Sequence, residues 1–178
     1  MNEIRNFSQI IKINIKDFFS DYKISVKSIN KNEISIFINN EGFIIEKTNH
    51  ENSIKIFLHK KNKVDLMFRS FLILYGNEKE KEYFSKSYNK LFFDTEEDLI
   101  GILKFLKVKY DDNVKIFFEN NSMYDKIEMY FNNFQMQQKE KKISLEDRQR
   151  QIYESMQFSK RIRFSIDGVI YLKCTSCN

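Results

Sequence analysis

Apolar residues recur at two different spacings along this chain, and the change of spacing divides it. Near the start, Ile4, Phe7, Ile11, Ile15 and Phe18 repeat every three or four positions, with Arg5, Gln9, Lys12 and Lys16 between them. That period predicts a helix over residues 3–19 with one buried face. Ile11, Ile13 and Ile15 also alternate, so the same stretch carries a competing strand signal. Short β-branched runs then take over at 24–26, 34–38, 43–45 and 54–58. The links between them hold Asn30-Lys31-Asn32-Glu33, Asn39-Asn40-Glu41-Gly42 and Asn49-His50-Glu51-Asn52. Asparagine and glycine tolerate the backbone conformations that tight turns require. Links this short allow only antiparallel neighbours, so the runs predict a meander. A fifth strand is expected over 64–75. Its Phe71-Leu72-Ile73-Leu74-Tyr75 is apolar on both faces and should sit centrally under helices.

The pattern changes after Gly76. Residues 77–90 are charged and aromatic and read as a loop with a helical turn. Asp94 and Thr95 offer N-caps for a helix through 107. Glu96, Glu97 and Asp98 stand in its first turn, where the helix dipole favours negative charge, and Leu99, Ile102, Leu103 and Leu106 face inward. Gly101 within that helix costs around 1 kcal/mol relative to alanine. Residues 114–118 suggest a further short strand. Ser122 then caps a helix over 122–138 with a stripe of Met123, Ile127, Tyr130, Phe131 and Phe134. Ser144 with Asp147 has the spacing of a capping box for a last helix over 144–160. Asp167-Gly168 between apolar runs at 161–166 and 169–173 signals a two-residue hairpin. The expected fold class is α+β: an antiparallel β-meander sheet packed by helices, with a C-terminal helix plus β-hairpin. At 178 residues it fits one domain, 1–178, with 139–178 as a possible appendage.

Composition narrows the classes. The chain is 42% hydrophobic and 31% charged, a globular profile. It has no alanine, proline or tryptophan, a bias that fits an AT-rich genome and makes abundant lysine uninformative. No apolar window is long enough for a transmembrane helix, and residues 1–5 lack the features of a signal peptide. A cytoplasmic protein without membrane contact is the expectation. The net charge of +5 is uneven: basic before residue 90, acidic over 91–138, basic again beyond.

Most catalytic chemistry finds no support in the spacing. Gly42, Gly76, Gly101 and Gly168 are too far apart for a phosphate-cradling loop. His50 and His59 lie nine apart in a strand-rich region, which does not make the helical zinc-protease pair. Glu140-Lys141-Lys142 has the nuclease-like Glu-x-Lys order but falls at a helix end, and Asp111-Asp112 reads as a turn. Cys174 and Cys177 form a Cys-x-x-Cys without the further ligands a structural zinc requires, so they are weak metal candidates and no cofactor is expected.

The stronger lead is basic. Four of the six arginines, Arg148, Arg150, Arg161 and Arg163, fall between residues 148 and 163, with Lys141, Lys142 and Lys160 beside them. Arginine's planar fork suits carboxylate and phosphate equally, while a pair such as Glu146 with Arg150 would make the same residues an ordinary helix face. Tyr83, Phe84 and Tyr88 stand in a charged segment as candidate interface aromatics, or as anchors that pin a loop down. The function expected first is a non-enzymatic inhibitor that occludes a protein partner with an acidic surface. Toxin-immunity proteins and phage-encoded inhibitors of host nucleases, anti-CRISPR proteins among them, are examples of that class. The alternative is a basic nucleic-acid-binding protein using residues 148–163.

Overall fold

The computed structural model describes residues 7–48, 52–86, 91–140, 147, 149–153, 162–164 and 170–172. Helix α1 (Phe7–Phe18) leads into a meander of β1 (Ile24–Asn30), β2 (Glu33–Ile38), β3 (Glu41–Lys47) and β4 (Ser53–His59). All neighbours are antiparallel, in the order β1-β2-β3-β4. Two short strands then share the far edge of β4. β5 (Leu66–Met67) pairs with Phe57 and Leu58, and β6 (Leu91–Phe92) pairs with Ser53 and Ile54.

The turn chemistry fixes this register. Asn39 and Asn40 both hold positive φ, 54° and 70°, which is the primed two-residue hairpin whose twist matches the strands it joins. At the preceding turn the Asn30 side-chain oxygen accepts from the Asn32 amide at 2.8 Å. One parity of β2, β3 and β4 is buried: Ile34, Ile36 and Ile38; Phe43 and Ile45; Ile54, Ile56 and Leu58. The helices lie on that face, where Phe43 meets the rings of Phe68 and Tyr110.

Three expectations need correction. The expected strand over 64–75 is a two-residue strand followed by helix α2 (Phe68–Tyr75). Phe68, Phe71 and Leu72 are buried at i, i+3 and i+4, and an unbroken apolar run carries both periods equally. The expected loop over 77–90 contains helix α3 (Glu78–Lys86). Its start is reciprocally capped: the Asn77 side chain accepts from the Glu80 amide at 3.0 Å, and Glu80 accepts from the Asn77 amide at 2.9 Å. The expected strand over 114–118 is helical. Helix α4 (Glu96–Lys109) runs into a π-turn, Tyr110–Val114, and then α5 (Lys115–Glu119). The π-turn absorbs one extra residue without ending the helix and keeps Tyr110 and Val114 buried.

The N-cap expected at Thr95 for α4 is present, and it forms a reciprocal capping box with Asp98. Thr95 Oγ1 accepts from the Asp98 amide at 3.1 Å, and Asp98 accepts from the Thr95 amide at 3.1 Å. α6 (Asn121–Glu140) follows, capped by the Asn120 side chain accepting from the Met123 amide at 3.3 Å rather than by Ser122. Tyr124 and Ile127 are fully buried on its inner face. β7 (Ile162–Phe164) and β8 (Ile170–Leu172) form the expected terminal hairpin, and β7 lies near α4. Their register places Phe164 opposite Ile170. Asp167-Gly168, the expected turn, lies outside the described residues.

Two buried polar contacts tie the helices to the sheet. Lys60, 6% exposed, donates to the Phe118 carbonyl at 2.7 Å at the end of α5. Tyr124 donates to the Val64 carbonyl at 2.8 Å. Together they hold the 60–65 loop against α5 and α6. A third cluster joins the start of β1 to the π-turn: the Tyr22 hydroxyl donates to Asp111 at 2.7 Å, and Lys107 donates to the same carboxylate. The hydrogen bond to Asp111, with burial and that negative charge adding to it, pushes the Tyr22 phenol up to about 12. Burial would raise the Asp111 carboxyl, but the hydrogen bonds from Lys107 and Tyr22 outweigh it and leave it below its ordinary value.

The pH dependence follows with opposite signs at the two ends. Tyr22, with its folded value raised above about 10, contributes stability fully present below pH 10 and lost as pH climbs toward 12. Asp111, with its folded value lowered, contributes stability present above the usual carboxylate range and lost as pH falls through it. Urea titrations of wild type and Tyr22→Phe should therefore converge as pH rises from about 10 to 12. A difference constant across that window would contradict the assignment.

Candidate open-face binding site

The second parity of the strands faces away from every described helix. The pairing register places its residues in rows across the sheet. One row reads Ser25, Phe37, Gly42, His59; the next reads Lys27, Ser35, Ile44, Phe57, Met67; a third reads Glu33, Glu46, Lys55. Phe37, Ile44, Phe57 and Met67 are each half-buried and form an apolar band, the last three in one row and Phe37 in the next. Ser35 lies between larger neighbours at 2% exposure.

Gly42 explains why the first row works. With no side chain on β3, the rings of Phe37 and His59 meet across it, 5.1 Å apart and edge to face. His59 Nδ1 lies 2.7 Å from an Asp65 carboxylate oxygen. Asp65 sits in the loop that Lys60 and Tyr124 hold, so the His59 ring is fixed by contacts on two sides. That arrangement braces a histidine within a surface.

Charges sit at the margins of the band. Lys55 lies 3.9 Å from Glu46 on the neighbouring strand, and Glu33 accepts from the Asn30 side chain at 3.0 Å. With Lys27, the outward positions of β1 to β4 carry two lysines and two glutamates, so the face is close to neutral. An apolar centre with a polar rim is the anatomy of a protein interface.

Small-molecule chemistry finds less room. The recess between β5 and β6, lined by Lys55, Met67, Arg69 and Phe84, admits about one water molecule, far below a typical ligand site. No group of three or more His, Cys, Asp or Glu residues among the described residues could hold a metal ion. No helix among them is long and apolar enough to cross a membrane. No family model matches the chain, and neither a curated protein nor a solved structure does. The functional reading therefore rests on the chemistry of the face.

The residues singled out from the sequence fare differently. Tyr83 and Phe84 are 2% and 3% exposed, so they are core residues rather than interface aromatics. They fill the space between α3 and its neighbours, with Phe84 stacked on Phe105, as the loop-pinning alternative expected. Arg150 is exposed and lies 3.0 Å from Asp147 at i, i+3. Arg163 stands in β7 opposite Tyr171. Arg148, Arg161, Lys141, Lys142, Lys160, Tyr88, His50, Cys174, Cys177, Glu146 and Ser144 lie outside the described residues.

Phe37, Ile44, Phe57 and Met67 were missed from the sequence. A signal existed. Taking Asn39-Asn40 as a two-residue turn fixes Ser35 opposite Ile44 and Phe37 opposite Gly42, which puts apolar residues on the parity that should face water.

Proposed function

We propose that this chain is a non-enzymatic binding protein that occludes a partner protein through the open face of its sheet. The observation that carries this reading is the neutral, half-buried band of Phe37, Ile44, Phe57 and Met67 on the face no described helix covers. Aromatic and methionine side chains with charges kept to the rim are the arrangement enriched at protein interfaces. Inhibition by occlusion requires only such a surface, which agrees with the absence of a ligand-sized recess at the β5–β6 gap.

Nucleic acid is the competing partner. A sheet with outward aromatics can stack bases, and Phe37, Phe57 and Phe92 lie on that parity. Glu33 and Glu46 on the same face oppose a polyanion, and Lys55 is already engaged by Glu46. Fluorescence anisotropy with generic single- and double-stranded DNA and RNA at about 0.15 M salt separates the two. Non-specific binders there show dissociation constants of roughly 10⁻⁴ to 10⁻⁶ M. The expected result is no binding tighter than that range. Submicromolar binding lost in Phe57→Asp would replace the protein reading with the nucleic-acid one. Because Phe57 is only half-buried, Phe57→Asp is expected to fold, with a stability loss of about 1 kcal/mol or less by chemical denaturation.

A further inference from the structure

The strand order leaves β1 at an edge. It pairs only with β2 among the described residues, and its residues from Ile24 to Asn30 are half-buried or exposed throughout. A free edge presents alternating N–H donors and C=O acceptors. The pairing with β2 is regular from Ile24 to Ser28 and is interrupted between Ser28 and Asn30, where Ile29 stands 57% exposed. About five residues of regular edge are therefore available to another strand.

The charge beside that edge has one sign in excess. Lys23, Lys27 and Lys31 punctuate the strand and its ends, all exposed. α1 runs alongside, since Ser8 Oγ lies 2.8 Å from Ser28 Oγ. Lys12 and Lys16 follow Ser8 at one-turn spacing and so share its side of the helix. None of these five lysines makes an ion pair among the described residues. Asp17, Asp21 and Glu33 are the nearby acids in sequence, and Glu33 is bonded to Asn30.

We propose that β1 is the docking edge for an extended acidic segment of the partner protein, which adds a strand to the sheet. This rests on the protein-binding reading and names the partner's chemistry. A strand added beside β1 would continue the open face, with Lys27 and Ser35 leading into Ile44 and Phe57. A second copy of this chain fits poorly, because lysines would face lysines across the new pair. Nucleic acid fits poorly as well, because phosphates only accept, while half of the edge groups need a donor. Lysines also guard edges against unwanted pairing, and that simpler role makes a different prediction.

The test uses the full chain, isotopically labelled, with synthetic capped nonapeptides. One alternates Glu with Val, one alternates Lys with Val, and one is the Glu peptide N-methylated at alternate residues. The Glu peptide is expected to bind with a dissociation constant below about 1 mM and to slow amide exchange within 24–28. The Lys and N-methylated peptides should bind at least about tenfold more weakly. Lys23→Glu with Lys27→Glu should reverse the charge preference. Equal binding of the Glu peptide and its N-methylated form, protection appearing away from β1, or no binding of the Glu peptide would each overturn the proposal. Loss of partner binding in Phe57→Asp is measured separately, so the edge can fail while the open-face reading stands.

Discussion

Replacing Lys109 by methionine is expected to destabilise the fold by about 3–5 kcal/mol, because it strands a buried carboxylate. Lys109 Nζ lies 2.9 Å from Glu80, and the two side chains are 10% and 4% exposed. This pair joins the end of α4 to the start of α3. The second Glu80 oxygen accepts from the Asn77 amide at 2.9 Å. Without the ammonium, one N–H is left to hold a charge that water barely reaches. Glu80→Gln should cost less, since Lys109 retains Asp112 at 3.4 Å, on a carboxylate that is half exposed. The double change Glu80→Gln with Lys109→Met removes both charges and should recover most of the loss. Chemical denaturation of the four proteins completes a double-mutant cycle. If the two single losses simply add in the double variant, the pair does not act as described.

Gly42→Ala is the second change with a large expected effect. A Cβ built at Gly42 would lie 2.0 Å from the Ile36 carbonyl oxygen. That oxygen is backbone, in the strand hydrogen-bonded to β3, so relief requires the β2–β3 hairpin to separate. A loss of about 3 kcal/mol or more is expected, at the upper end for overpacking by a single methyl group. Thermal and urea unfolding read it directly. A loss below about 0.5 kcal/mol would mean that β3 can shift without breaking its pairing, and the open face as described would not be rigid.

The sheet was legible in the sequence because two signals agreed there. Alternation chose the buried parity, and the Asn-rich links set the turns. The N-cap at Thr95 was legible as side-chain chemistry beside a run of first-turn acids, although its reciprocal bond with Asp98 was not read. Where one signal stood alone it failed. The run from Phe68 to Tyr75 is apolar at nearly every position and carries no period, so only tertiary packing made it a helix. Val114 to Phe118 was too short for periodicity to separate a strand from the continuation of α4 through a π-turn. In 77–90, aromatic residues among charges looked like a surface, yet Tyr83 and Phe84 recur with Glu80 at helical spacing and all are buried.

The candidate site was less legible than the fold. Local arginine density drew attention to residues 148–163, of which the described Arg150 is an exposed residue paired within its own helix. The open face depends on residues from four strands, and no single strand announces it. Phe37 looks like one more apolar residue in an apolar run, and Phe57 looks the same. Only the register sets them on the outward parity beside Ile44 and Met67.

The central claim is that this outward band contacts a protein. A photoactivatable benzoylphenylalanine placed at position 57, and separately at exposed Met129 on α6 as a control, tests it directly in extracts of the source cells. The expected result is a discrete protein cross-link from position 57, absent from position 129 and abolished by Ile44→Asp in the same chain. Cross-links to nucleic acid at position 57, or protein cross-links from position 129 alone, would contradict the account.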